Sequence, residues 1–224
     1  MAKSGQSGRP GSEFILKIIK VAESHLFNDE ESSLIRSCLL AEDVLVYPTD
    51  TLYGLGVDAR SQKAVAALYL LKERQETPIS VLLPNVDELL KMAHNLSQRG
   101  TELIKSFLPG ALTVICTTDY PFAPQLVSQK GTVGFRVPAD GLSTQIPEIL
   151  EGPITTTSVN PAGRPPALTR SQVETYFSDR VQLMLDSGSF PSSPGSTVID
   201  LTTQPFTILR EGEITRHDLE DFLN

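Results

Sequence analysis

The sequence predicts an α/β protein in which helices pack on a sheet of mixed parallel and antiparallel strands, and three observations carry that expectation. Short runs rich in β-branched residues alternate with segments whose apolar residues recur at helical spacing, and this mixing builds a helix-covered sheet. The connections before Val133 and across 188–195 are too short to hold a crossover helix, so some strands are expected to pair antiparallel. A chain of 224 residues, 40% hydrophobic, is long for one core and short for two. One unit over 15–224, without internal repeats, is expected.

In chain order, residues 1–14 (MAKSGQSGRPGSEF) are rich in Gly, Ser and basic residues and lack a hydrophobic period. They read as a flexible leader or a cloning tag, GSEF resembling a vector scar. Helical spacing follows over 30–41, then over 62–73 with Ser61 as a fitting N-cap, and then over 87–92, 98–107 and 172–177. Strands are predicted at 44–47, 79–83, 112–117, 133–137, 154–157, 182–185, 197–201 and 207–210, each bounded by Gly, Pro, Asp or Asn.

Composition narrows the function. A formal net charge of −8 and a pI near 4.9 weigh against binding nucleic acid mainly through overall charge. Cys38 and Cys116 stand far apart and outside any CxxC spacing, which suggests buried thiols in a reducing compartment rather than a zinc site or a disulfide framework. No apolar run reaches the roughly 18 residues of a membrane span, and no signal-peptide core is present. A cytoplasmic protein with no membrane partner is expected. His25, His94 and His217 lie outside every polar cluster and read as surface residues.

The polar clusters are each expected to stand at the end of a strand: PTDTLYG with Thr51, LLKER with Lys72 and Arg74, TVGFRVP with Thr132 and Arg136, ITTTSVNPAGRPP with Thr156, Ser158, Asn160 and Pro166, PGSTVIDL with Ser196, and ILREGE with Arg210. Singly, each has a plain reading. Hydroxyls after a strand serve turns and caps, basic residues at a helix end complement its dipole, and Arg210 suits a surface ion pair. Arg136 is harder to dismiss, because alternation sets it on the face opposite Phe135, where it is either solvated or aimed at an anion.

In this order, PTDTLYGLG, KER, FLPGALTVI, VGFRVP, TTSVNPAGRPP, STVIDLT and ILREGE resemble the successive signatures of the YrdC/YciO family, over about 44–212. The likeness is to its short form, without the extra C-terminal domain. The family's best-known activity is L-threonylcarbamoyladenylate synthase, a nucleotidyltransferase, and the resemblance implies a twisted mixed sheet with a large concave cavity. It implies that Thr51, Arg136, Thr156 and Ser196 surround L-threonine. It places ATP on Lys72, Arg74, Thr132, Ser158, Asn160, Pro166 and Arg210, with Lys72 and Arg74 as the catalytic cations.

The implied reaction joins L-threonine, bicarbonate and ATP into threonylcarbamoyl-AMP and pyrophosphate, for t6A modification of tRNA. Both reacting partners are anions, so fixed positive charge and a magnesium ion accompanying ATP suit it. No dedicated protein ligands for the metal are identified. The partners implied are the three substrates and tRNA or the machinery that transfers threonylcarbamoyl to it. The alternative implied by the same family is a divergent RNA- or tRNA-binding member. A further transferase reading, from hydrogenase-maturation proteins, lacks here its neighbouring acylphosphatase and zinc-finger segments. Three departures bear on the substrate more than on the fold: KERQETP is one residue shorter than the common form and lacks a proline after the arginine, Leu82 stands where some members have a histidine touching threonine, and Val159 replaces alanine.

Overall fold

The computed structural model describes residues 16–223 except 23, 74–77 and 178. The expected leader and Arg74 lie outside the described residues. In chain order the elements are β1 (Lys17–Lys20), α1 (Asp29–Leu40), β2 (Leu45–Pro48), β3 (Tyr53–Gly56), α2 (Gln62–Leu71), β4 (Ser80–Leu82), α3 (Val86–Met92), α4 (Gln98–Phe107), β5 (Leu112–Thr117), β6 (Thr132–Arg136), α5 (Gln145–Leu150), β7 (Ile154–Ser158), α6 (Arg170–Phe177), β8 (Leu183–Asp186), β9 (Thr197–Asp200), β10 (Thr207–Arg210) and α7 (Glu220–Leu223). Among the described residues no helix is long and apolar enough to cross a membrane.

Local chemistry explains the helix starts. Ser61 Oγ accepts from the Ala64 amide (3.1 Å) at the head of α2, and Asn85 and Ser97 do the same for α3 and α4. Asn28 and Glu31 form a reciprocal capping box on α1.

The strands form one mixed sheet in the order β1-β8-β2-β3-β7-β4-β6-β5-β9-β10. Antiparallel pairing across the short 118–131 connection holds, since β5 and β6 are antiparallel neighbours. The expectation for 188–195 does not hold. Strand β8 pairs in parallel with β1 and β2, and β9 pairs in parallel with β5, so the ten residues 187–196 cross the sheet instead of turning back. The seven inter-strand steps between β8 and β9 span about 34 Å along a flat sheet, close to the reach of an extended chain of that length. On the way Phe190 packs edge-on against Tyr53, and Gly195 lies against Leu52.

Four further elements among the described residues were not predicted: β1, β3, α5 and the four-residue α7. YGLG in β3 has two glycines and no β-branched residue; it is a strand through its antiparallel pairing with β2 and β7, and its glycines make room for Tyr47 of β2, since a Cβ on Gly56 or Gly54 would meet the Tyr47 ring at 2.8 or 3.0 Å. Strand β1 is a four-residue edge, and α5 is six residues with a proline inside, both too short for a period to register.

Directly paired residues share a face of a sheet, as do alternate residues of a strand. On one face Val81, Val114, Phe135 and Ile199 build the larger core under α2, α4 and α6. On the other, Leu45, Tyr47, Leu82 and Ile154 pack beneath α1 and α5. These two helices cover only part of that second face. Beyond them Ser80, Gly134, Ile115, Thr117 and Ser158 remain partly exposed, a polar strip along the middle of the sheet.

Candidate functional site

The strip and the loops bordering it gather most of the predicted residues into two clusters. The first forms around Arg136, at the end of β6 and 7% exposed. Its Nη2 donates to the carboxylate of Asp50 and to Thr51 Oγ1 (2.9 Å). The turn that presents both partners is shaped by Thr49, whose Oγ1 donates to the Leu52 carbonyl (2.7 Å) and accepts from the Thr51 and Leu52 amides (3.2 Å each). This is why PTDT follows a core strand: the first threonine closes the turn, and the next two residues reach Arg136. Arg136 Nε is sealed from solvent and has no hydrogen-bond partner among the described residues.

Across the sheet, Ser196 Oγ shares a hydrogen bond with Thr113 Oγ1 (2.9 Å), and Thr113 is the register partner of Arg136. The exposed Arg210 donates through Nη2 and Nε to the Ser196 carbonyl (2.6 and 3.2 Å), and through Nη2 to Ser196 Oγ (3.2 Å). Thr156, on β7, lies beside the buried phenol of Tyr47, which donates to the Thr155 carbonyl (3.0 Å). Burial pushes the Tyr47 pKa up, so this phenol stays a neutral donor.

The second cluster forms where α2 ends. Lys72 is 3% exposed, and its ammonium donates to the carbonyl of Ser158, the carbonyl of Asn160 (3.0 Å) and Asn160 Oδ1 (3.2 Å). Three acceptors match the three N–H donors of an ammonium. Ser158 Oγ donates to Asn160 Oδ1 (2.6 Å), Asn160 Nδ2 donates to the Arg164 carbonyl (2.6 Å), and the Ala162 amide donates to the Lys72 carbonyl (2.9 Å). Lys72 thus braces the TSVN turn from beneath. Pro166 lies half-buried just beyond that turn. Thr132 stands apart from both clusters in its contacts, sharing a hydrogen bond with Ser128 Oγ (2.6 Å).

Strand β7 links the clusters, because Thr156 and Ser158 are alternate residues on one face, about 7 Å apart. A separate cleft of about 410 Å³ beyond the end of β4, lined by Leu83, Asn85, Glu88, Tyr120 and Glu148 among others, includes none of the predicted residues.

Sequence reasoning left Asp50, Thr113 and Asp140 without roles. Asp140 follows β6, and its carboxylate accepts from the Ser143 amide (2.6 Å) and Ser143 Oγ (2.8 Å). Burial raises its pKa, Asp50's charge pushes the same way, and Arg136 opposes them. Asp50 was visible within PTDT as a carboxylate among hydroxyls. Thr113 and Asp140 carried no signal, since their importance comes from strand register and from the loop's return to Arg136.

The fold and site define an α/β protein whose open sheet face places a buried guanidinium on β6 and a braced Ser–Asn turn after β7, with β4 between the two strands. The Sua5/YciO/YrdC family model, described as telomere recombination, matches residues 37–212, and the chain belongs to this family. A Mycobacterium tuberculosis relative, named provisionally as a threonylcarbamoyl-AMP synthase, is 32% identical over 184 residues, covering 82% of this chain and 84% of its own. The threonylcarbamoyl-AMP synthase of Pyrococcus abyssi is 29% identical over 178 residues, covering 79% of this chain, which spans about half (52%) of that relative's length. The crystal structure of P. abyssi Sua5 complexed with L-threonine superposes with a TM-score of 0.84 at 26% identity, over 92% of this chain and 61% of that one.

Proposed function

We propose that this chain is an L-threonylcarbamoyladenylate synthase, a nucleotidyltransferase that forms threonylcarbamoyl-AMP and pyrophosphate from L-threonine, bicarbonate and ATP. The observation that carries the reading is Arg136, whose buried Nε–H has no acceptor among the described residues and which lies within the Thr51 and Ser196 cluster. A buried donor left unpaired costs about 1–3 kcal/mol, and the carboxylate of an amino acid is an acceptor that satisfies it. The names of the mycobacterial and archaeal relatives, and the L-threonine bound to P. abyssi Sua5, support the same ligand.

In this reading Arg136 takes the threonine carboxylate, and the hydroxyls of Thr51, Thr156 and Ser196 line the amino-acid side. The nucleotide lies along the TSVN turn, where Ser158 and Asn160 offer neutral hydrogen bonds, with Thr132, Pro166 and Arg210 at its borders. Lys72 acts chiefly by holding that turn, and Arg74 is assigned to the phosphates. Once its ammonium has given a proton to solvent, threonine's amine attacks the bicarbonate carbon and water leaves to give the carbamate. The carbamate oxygen then attacks the α-phosphorus as the bond to pyrophosphate breaks and pyrophosphate leaves. Holding two anions in line supplies much of the rate.

Magnesium is proposed to arrive on the phosphates of ATP and to neutralise their charge. Among the described residues no group of three or more His, Cys, Asp or Glu side chains is placed to hold a metal, so its fit rests on phosphate oxygens. The product's acceptor is proposed to be tRNA, reached through the transfer machinery in the cytoplasm. Pyrophosphate release from ATP, dependent on both bicarbonate and L-threonine with L-serine as control, tests the reading. Release that is absent, or indifferent to the amino acid, refutes it.

A further inference from the structure

Arg136 does not stand in its cluster as a bare cation. Asp50 pairs with its Nη2 and is fixed from a second side, because Asp50 Oδ2 accepts from the Ala139 amide (3.0 Å). The two side chains keep 8% and 13% of their exposure, so the pair is nearly enclosed yet reachable. Asp140 adds a second carboxyl close enough to influence both, its oxygens occupied by Ser143. Counted together with Arg136, the charges of this cluster therefore sum to neutral or negative.

That balance discriminates among ligands. A simple anion approaching the reachable part of the Arg136 side chain meets the guanidinium and the Asp50 carboxylate together. At similar distances the attraction to the guanidinium and the repulsion from the carboxylate are of similar size, and here the two oppose. A molecule with both charges a few ångströms apart keeps both attractions. We propose that Asp50 is a specificity-determining residue: with Arg136 it forms a two-charge clamp for the zwitterion of an α-amino acid, Arg136 taking the α-carboxylate and Asp50 the α-ammonium. The inference rests on the reading of the ligand as L-threonine and adds to it a reason why bicarbonate or phosphate does not occupy Arg136.

Titration calorimetry of the full chain with L-threonine and with 3-hydroxybutyrate, its analogue lacking the amine, tests the clamp. The wild-type chain is expected to bind threonine and to bind the analogue far more weakly. Asp50→Asn removes one charge while keeping the shape. It is expected to weaken threonine by about tenfold or more, the scale of a lost charge-assisted hydrogen bond, and to strengthen the analogue by relieving the repulsion. Arg136→Lys is expected to weaken both. Thermal melts report folding, and Asp50→Ser supplies the same comparison if the asparagine variant does not fold. A purely structural role weakens both ligands alike, so an unchanged preference in a variant that folds overturns the clamp while leaving the threonine reading standing. A wild-type chain that binds no threonine overturns both.

Discussion

Arg136→Lys separates the amino-acid side of the site from the nucleotide side. Lysine keeps the charge but loses the planar fork, so it cannot serve Asp50, Thr51 and a ligand carboxylate from one rigid group. Steady-state kinetics are expected to show the threonine concentration for half-maximal turnover rising at least several-fold, roughly the loss of one charge-assisted hydrogen bond, with ATP dependence nearly unchanged. A shift in ATP dependence instead moves Arg136 to the nucleotide. The cysteines behave differently because nothing activates them. Burial pushes Cys38 and Cys116 up to about 12, so near pH 8 only on the order of one thiol in ten thousand is ionised. Iodoacetamide is expected to leave both unmodified in the native chain and to label both after denaturation. Rapid native labelling at either position contradicts the packing around it.

Two connections between elements decide how well the site is formed. The first joins α2 to the TSVN turn through Lys72. Lys72→Met leaves the Ser158 carbonyl and both Asn160 oxygens without this donor, and a buried group left unsatisfied costs about 1–3 kcal/mol. Lower thermal stability together with weaker ATP binding is the expected result. Unchanged stability accompanied by lost ATP binding points instead to direct phosphate contact. The second is the approach of Gly212, just past β10, to the 195–196 backbone. A Cβ there would lie 2.3 Å from the Gly195 carbonyl oxygen and 2.5 Å from the Ser196 carbonyl carbon. Backbone cannot rotate aside as a side chain can, so Gly212→Ala is expected to destabilise by about 1–3 kcal/mol and to raise the threonine requirement by displacing Ser196. Denaturant melts and threonine titration of the same preparation check both halves. The motif ILREGE was legible, but its glycine's task was not, because the backbone it must admit lies at Gly195 and Ser196, just before β9.

At the scale of the whole molecule, the order of the strands makes the site. Helices over 62–73 and 98–107 and most strands were legible because each depends on local patterning: apolar spacing for the helices, β-branched runs between turn residues for the strands. The candidate residues were legible for a related reason, since their local wording resembles a family and the chain belongs to it. Strand β3 and the crossing of 187–196 escaped, because Gly54 and Gly56 are extended by pairing with β2 and β7 and are glycines to admit Tyr47, and a short loop says nothing about which edge of a sheet it returns to. The composition and local patterns by themselves determined an α/β chain, its principal helices and strands, and the polar residues available for chemistry. Only the tertiary structure decided that Asp50 meets Arg136, 86 residues away, that Lys72 is spent on the TSVN turn, and that part of one sheet face stays uncovered. Periodicity reports the face on which a side chain falls, whereas its partner across the sheet is set by strand order and register, which follow from the packing of the strands together.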